Sequence, residues 1–330
     1  MKKMWTKLGC VALMAALFVC TGCEEEVTKS DGDYKPPTIT EEENGGYPIY
    51  LKVTGTKITG NRDDAGYPVP ENLVIPDGIT EIGEYAFEGC EKIKTVTIPS
   101  SVTKIDVHAF AGCTALTGVT IPDSVQTIGD QAFGWCDSLA TVTIGKGVKT
   151  IGEGAFKNSG LTSVTIPGSV TTIGKGVFEE CDKLASATLD GCAVAVSENM
   201  FRSCTALATV TLSGVTSIEK NAFDTCTKLS KVSIPDSVTE IGSSAFNGCS
   251  ALATVTIGKG VTKIAGHAFF DSGLTSVTFS DTEGWYSSST FDSNKSINVG
   301  TPASNAANLK DITSTSNNNW GSTGIYKKTN

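Results

Sequence analysis

Cysteine is the residue type most able to do chemistry in this 330-residue chain, which encodes eleven of them. Thiols held close together can join as disulfides, hold zinc or attack an electrophile. Seven of them, Cys90, Cys113, Cys136, Cys181, Cys204, Cys226 and Cys249, keep one place in a recurring pattern, with Ser159 and Ser272 taking that place twice. If the elements that carry them stack at strand spacing, about 4.8 Å, their Cα atoms fall within the roughly 4.4–6.8 Å that a disulfide requires. Yet the number is odd, and two serines do the same job. Free cysteine is a good small core residue, so the pattern predicts a ladder of buried thiols. None of the seven forms a C-x-x-C pair, which disfavours zinc.

The two histidines, His108 and His267, share another place, just before an Ala-Phe pair. Other units put Tyr85, Gln131, Gly154, Gly176, Asn199, Asn221 and Ser244 there, the mixture expected of a tolerant surface position. A triad or metal cluster needs partners that converge on one point, and a repetitive surface disperses them. Gly145-Lys146-Gly147 and Gly258-Lys259-Gly260 look like phosphate loops, but no G-x-x-x-x-G-K-[ST] is present and they replace Pro-Asp-Ser turns in register. The chain therefore reads as a non-enzyme: no catalytic residue, no metal and no cofactor.

Hydroxyl groups remain. Thr141 and Thr143, Ser163 and Thr165, and Thr209 and Thr211 each flank one apolar residue, as do Thr95/Thr97, Thr254/Thr256 and Ser276/Thr278. Alternate side chains of a strand share a face, so stacked strands would turn these pairs into two parallel rows of hydroxyls. Regular T-x-T rows on a flat solenoid can bind ice. Here Gly118 and Lys231 interrupt one row, and threonine also simply suits exposed strands. The candidate ligand-binding residues are Thr141, Thr143, Ser163, Thr165, Thr209 and Thr211, for a macromolecular partner.

One repeat positions all of these groups. Phe87, Phe110, Phe133, Phe156, Phe178, Phe201, Phe223, Phe246 and Phe269 follow one another at 22 or 23 residues. A fixed period in this range marks a solenoid, each unit being one turn of a superhelix. In the unit LTSVTIPGSVTTIGKGVFEEC, Leu161, Val164 and Ile166 read as a strand, and Pro167-Gly168-Ser169 turns the chain. Val170 and Ile173 form a second short apolar piece, and Phe178 and Cys181 share one face of a short helical turn. No single turn can bury its apolar side chains. Stacking makes available about 1.5–3 kcal/mol for each large one.

These units resemble the BspA-like leucine-rich repeats of bacterial surface proteins from Leu73 to about Phe279. The resemblance implies an α/β-type repeat solenoid dominated by short parallel β-strands, a right-handed superhelix or horseshoe with β-rich terminal caps. Residues 47–72, alternating around Leu51, Val53 and Ile58, read as an N-terminal β cap, residues 73–279 as the repeats and residues 280–330 as a C-terminal cap.

Ahead of the caps, Lys2, Lys3 and Lys7 precede an apolar run from Leu8 to Val19, a secretory signal too short for a comfortable membrane span. Cys20-Thr21-Gly22-Cys23 resembles a bacterial lipoprotein cleavage site, which implies that residues 1–22 are removed and Cys23 is lipidated. Glu24-Glu25-Glu26 resembles the export signal of some Gram-negative surface lipoproteins. Residues 23–46 are polar and acidic, a flexible tether. Losing Lys2, Lys3 and Lys7 takes the net charge from -9 to -12, a balance that disfavours nucleic acid and anionic headgroups. The reading is a monomeric lipoprotein of the outer membrane, displayed at the cell surface and touching the membrane only through its lipid. It would act in adhesion through a protein ligand. A glycan-binding accessory, with Trp285 and Trp320 as its aromatics, and a structural surface protein are the alternatives.

Overall fold

The computed structural model describes residues 41–42, 44–63, 66–281, 285–287, 305 and 324–327. The chain divides into two units, Met1–Pro37 and Thr38–Asn330. Every described residue lies in the second, so the signal segment, Cys23 and most of the tether lie outside them.

A hairpin comes first: β1 (Leu51–Thr54) pairs antiparallel with β2 (Lys57–Asn61). Each following coil gives a longer strand and then a shorter one. They are β3 (Asn72–Val74) and β4 (Glu81–Ile82), β5 (Thr95–Thr97) and β6 (Lys104–Ile105), then β7 (Gly118–Ile121) and β8 (Thr127–Ile128). Next come β9 (Thr141–Ile144) and β10 (Thr150–Ile151), β11 (Ser163–Pro167) and β12 (Thr172–Ile173), then β13 (Ser186–Asp190) and β14 (Ala195–Val196). The series continues with β15 (Thr209–Leu212) and β16 (Ser217–Ile218), β17 (Lys231–Ile234) and β18 (Glu240–Ile241), then β19 (Thr254–Ile257) and β20 (Lys263–Ala265). It ends with β21 (Ser276–Phe279), β22 (Trp285–Ser287) and β23 (Gly324–Lys327).

Longer strands pair only with longer strands and shorter with shorter, always parallel from coil to coil. At the ends the pairing turns antiparallel within the hairpin and where β23 joins β20 and β22. The longer-strand ladder runs β3-β5-β7-β9, β11-β13-β15 and β17-β19-β21, and breaks where the 22-residue units lose a residue. Near Phe156 the deletion falls in the turn before β11, and near Phe223 it falls just after β15. The shorter-strand ladder breaks once, between β12 and β14, at the degenerate turn Asp190-Gly191-Cys192.

The core follows the repeat. All nine phenylalanines are fully buried and stack ring on ring, with centroids 5.1–5.6 Å apart and planes within 12° of parallel. Leu161, Val164, Ile166, Val170, Phe178 and Cys181 of one coil all point inward, as the period demands.

The expected helical turn is absent from the coils, so the α/β-type expectation is corrected to a β-solenoid with almost no helix: among the described residues only Asp63, in a 3-10 turn, and Asn305 have helical conformation. The third side of each coil is instead a double turn that is itself a ladder. The amides of Tyr85, Phe87 and Gly89 donate to the carbonyls of Val107, Ala109 and Ala111 in the next coil, at 2.8–3.0 Å. The alternate amides of Ala86, Glu88 and Cys90 donate three residues back, to Gly83, Tyr85 and Phe87. A chain that aims every second amide at a neighbouring coil while turning twice must visit the left-handed region. It does so at two places per coil. One begins at Tyr85 (φ 56) and the other at Gly89 (φ 68), and all thirteen non-glycine residues of positive φ fall at these two places.

Candidate binding face

The longer strands present the six candidate residues as expected. Thr141, Thr143, Ser163, Thr165, Thr209 and Thr211 are all exposed, while Val164 and Ile166 between them are buried. Register is tight within one ladder: Ser163 stands beside Ser186 and Ser186 beside Thr209, with Thr165, Thr188 and Thr211 forming the second row. Thr141 and Thr143 belong to the preceding ladder, opposite Gly118 and Thr120. The ladder break between β9 and β11 thus divides the six residues, although Thr162 still donates to the Ala140 carbonyl at 3.1 Å across it.

None of the six hydroxyls has a hydrogen-bond partner among the described residues. Threonines just outside the strands behave differently: Thr117, Thr162 and Thr275 each donate to a carbonyl of the preceding coil at 3.2 Å. These six hydroxyls are therefore free to bond to something else, whereas Thr95 on the same face donates to Asn72 Oδ1 at 2.8 Å. Gly118, which interrupts the row, leaves a depression of about 550 Å³ bounded by Thr97, Thr120, Thr141 and Thr143. A side chain there would meet the Thr141 hydroxyl at 2.7 Å, so the glycine keeps the hollow open. A wider hollow of about 710 Å³ lies over the β12–β14 break, among Thr150, Thr172, Lys175 and Glu219.

No disulfide joins the cysteines of the ladder, and the buried ones serve the structure. Each buried Sγ donates to the carbonyl of a phenylalanine in the preceding coil. Cys113 reaches Phe87 at 3.2 Å, Cys136 reaches Phe110 at 3.3 Å and Cys204 reaches Phe178 at 3.0 Å. Ser159 sits 3.3 Å from the Cys181 sulfur, and Ser272 donates to Phe269 at 2.6 Å. Sequence spacing located this place but not its acceptor, because the carbonyl belongs to another coil. Burial pushes every one of these thiols up, that of Cys136 to about 12. Thiolate, the reactive form, is thereby suppressed. No three His, Cys, Asp or Glu side chains among the described residues could hold a metal ion.

The histidine place is not the tolerant position that its composition suggests. His108 (φ 53) and His267 (φ 59) lie at a backbone site that favours glycine and asparagine. His108 stacks on Tyr85 at 5.0 Å and has Glu88 3.5 Å from its Nδ1. The Gly-Lys-Gly segments are turns that sit on the Pro-Asp-Ser turn below: the amides of Lys146 and Lys259 donate to Asp123 and Asp236 at 2.7 and 2.9 Å. A Cβ on Gly147 would collide with the Asp123 carbonyl. Of the tryptophans considered for glycan binding, Trp285 stands in β22 and Trp320 lies outside the described residues.

A model of the BspA type leucine rich repeat region matches residues 70–185 and 171–298, in six copies. This chain belongs to the BspA-type leucine-rich repeat family. A leucine-rich repeat protein of T. pallidum is 31% identical over 52% of this chain and 82% of its own length, with a TM-score of 0.47. One from Eubacterium ventriosum is 27% identical over 62% of this chain and 65% of its own, with a TM-score of 0.49. The pneumococcal vaccine antigen PcpA is 20% identical over 71% of this chain and 74% of its own, with a TM-score of 0.36. Comparison with curated proteins gave no match. Family members of this kind are generally protein-interaction modules, and their repeat scaffolds are typically non-enzymatic.

Proposed function

We propose that this protein is a surface-displayed lipoprotein that binds an extracellular protein through the hydroxyl face of its longer strands. The observation that carries the reading is the set of six exposed strand-face hydroxyls without a hydrogen-bond partner among the described residues. An exposed hydroxyl that neither caps a turn nor ties two coils together is available to a ligand. Repetition multiplies it into a patch that several coils share. Repeat folds offer such extended surfaces rather than enclosed pockets, and a partner burying about 800 Å² per side needs that breadth. Display at the surface rests on the cleavage-site resemblance at Cys23 and the acidic run after it.

Two experiments test the two halves. Cys23→Ala should move the protein from membrane to soluble fractions; unchanged detergent partitioning would contradict the anchor. For binding, the mature chain is applied to arrays of purified extracellular proteins and of glycans. Capture confined to proteins supports the reading, and capture confined to glycans would replace it with the accessory role.

A further inference from the structure

Of the four large apolar side chains exposed among the described residues, three lie not on the strand face but on the double-turn face: Tyr85 at 49%, Trp135 at 38% and Phe270 at 42%. Two of these, Tyr85 and Trp135, also have positive φ, 56° in each case. Elsewhere in the same two places the chain uses Gly154, Gly176, Asn158, Asn199 and Asn221, and otherwise mostly residues smaller than an aromatic ring, such as Ser203, Thr225, Ser244 and Asp271, with Gln131 and Glu180 the long ones. Glycine and asparagine adopt the left-handed region readily, whereas a bulky side chain there is strained. A fully buried ring could recover that strain by packing; Tyr85 and Trp135, at 49% and 38% exposed, recover less of it. Strain of this sort that folding does not repay points to function.

The surroundings say what would be bound. Tyr85 and His108 are stacked in the first and second coils, and Trp135 stands in the third, about 10 Å along the stack at two strand spacings. Between them Gly89 and Gly112 carry no side chain, and a Cβ on Gly89 would touch nothing within 4 Å. Glu84, Glu88 and Asp130 are exposed on the same three coils, Asp130 keeping one carboxylate oxygen for a ligand while its Oδ1 accepts from the Glu153 amide at 2.8 Å, and no lysine or arginine lies in residues 84–89, 107–112 or 130–135. Lys157 bounds the patch and is tied to Glu179 at 2.7 Å. Farther along the same face, Arg202 also bonds Glu179, at 2.7 Å, so charge there is satisfied internally.

Aromatic faces ringed by carboxylates attract a cation, and a planar guanidinium both stacks on rings and pairs with carboxylates. We propose that Tyr85, His108 and Trp135, with Glu84, Glu88 and Asp130, form a second binding site, for an arginine-bearing segment of a partner protein. The site is separate from the strand face and does not depend on the role assigned to it.

The test uses the mature chain and a twelve-residue Arg-Gly repeat peptide in titration calorimetry, with a Glu-Gly repeat peptide and maltohexaose as controls. The key variant is Tyr85→Asn with Trp135→Asn. It leaves the charge unchanged and introduces a residue the fold already accepts at both places, so thermal stability should hold or rise. The site predicts that the Arg-Gly peptide binds the parent and loses tenfold or more in affinity for the variant, while the four-residue strand-face variant described below binds it normally. Undiminished binding to the Asn variant would mean that net charge alone holds the peptide, which overturns the proposal. Binding of maltohexaose instead, abolished by the same variant, would overturn it in favour of a glycan.

Discussion

Replacing Phe133 by alanine removes a ring from the middle of the stack, and the structure sets the cost. The side chain is fully buried, with Phe110 centred 5.3 Å away on one side and Phe156 5.5 Å away on the other. Truncation of a buried phenylalanine costs about 3–5 kcal/mol, and less where the surroundings can collapse. Collapse is blocked here, because backbone bonds fix the coil spacing: Phe110 donates to Ala132 and Phe133 to Ala155, each at 2.8 Å. Two ring contacts are also lost, each of about 0.5–1.5 kcal/mol. The expected loss therefore lies near the upper end, about 4–5 kcal/mol. Phe269→Ala, at the last ring, gives up one ring contact, with Phe246 at 5.2 Å, and should lose about 1 kcal/mol less. Urea denaturation followed by circular dichroism reads both, with the midpoint shift interpreted only if the slope is unchanged. A loss below about 2 kcal/mol for Phe133→Ala would refute the claim that the rigid ring stack is the main source of cohesion.

Three further outcomes follow from the geometry. Gln131 has φ 52, so Gln131→Asn should be neutral or stabilising while Gln131→Val costs about 1–2 kcal/mol in the same assay; equal effects would restore the reading of a tolerant surface position. At pH 8 the folded protein should leave Cys113, Cys136, Cys181, Cys204, Cys226 and Cys249 unmodified by a thiol-specific disulfide reagent for hours, with all six reacting once urea unfolds it; rapid reaction in the folded state would contradict the bonding to phenylalanine carbonyls. Partial burial pushes the Asp106 carboxyl up, but bonds from Lys104 and the Val107 amide, each 2.9 Å, outweigh it and bring the pKa down from 3.8 to about 2. A lowered pKa stabilises the fold above the ordinary value, and that stabilisation is lost as pH falls through about 2, so Asp106→Asn should cost about 1–2 kcal/mol at pH 7 and well under about 1 kcal/mol at pH 2; a cost independent of pH would show that the carboxylate's charge is irrelevant.

The period of phenylalanine and the V-x-I alternation made the solenoid, its inward residues and the strand-face hydroxyls legible, because burial is a property that one residue's type announces. What the residues hid was conformation set by a neighbour. Phe178 and Cys181, three apart, fit a helical turn on spacing alone. In the structure the amides of Phe178 and Glu180 leave the turn to meet Met200 and Arg202 in the next coil, and no periodicity encodes that choice. A signal existed nonetheless: Gly154, Gly176, Asn199 and Asn221 at one place, and Gly89, Gly112, Asn158 and Gly248 at the other, are the residues that tolerate positive φ. Mixed with Tyr85, His108 and Trp135, they looked like indifference. The free hydroxyls were legible as positions, whereas their lack of internal partners could be seen only once the coils were stacked.

The central claim is that the strand face recognises a protein. Thr141, Thr143, Ser163 and Thr165 are exposed and carry no side-chain bond among the described residues, so converting them together to alternating Lys and Glu should leave the urea midpoint unchanged. The measurement is the affinity of parent and variant for whichever extracellular protein the array captures. The account predicts that the variant folds and loses that affinity at least a hundredfold. Retained affinity in the folded variant, lost instead on changing Trp135, Glu179 and Glu180, would place recognition on the double-turn face and contradict it.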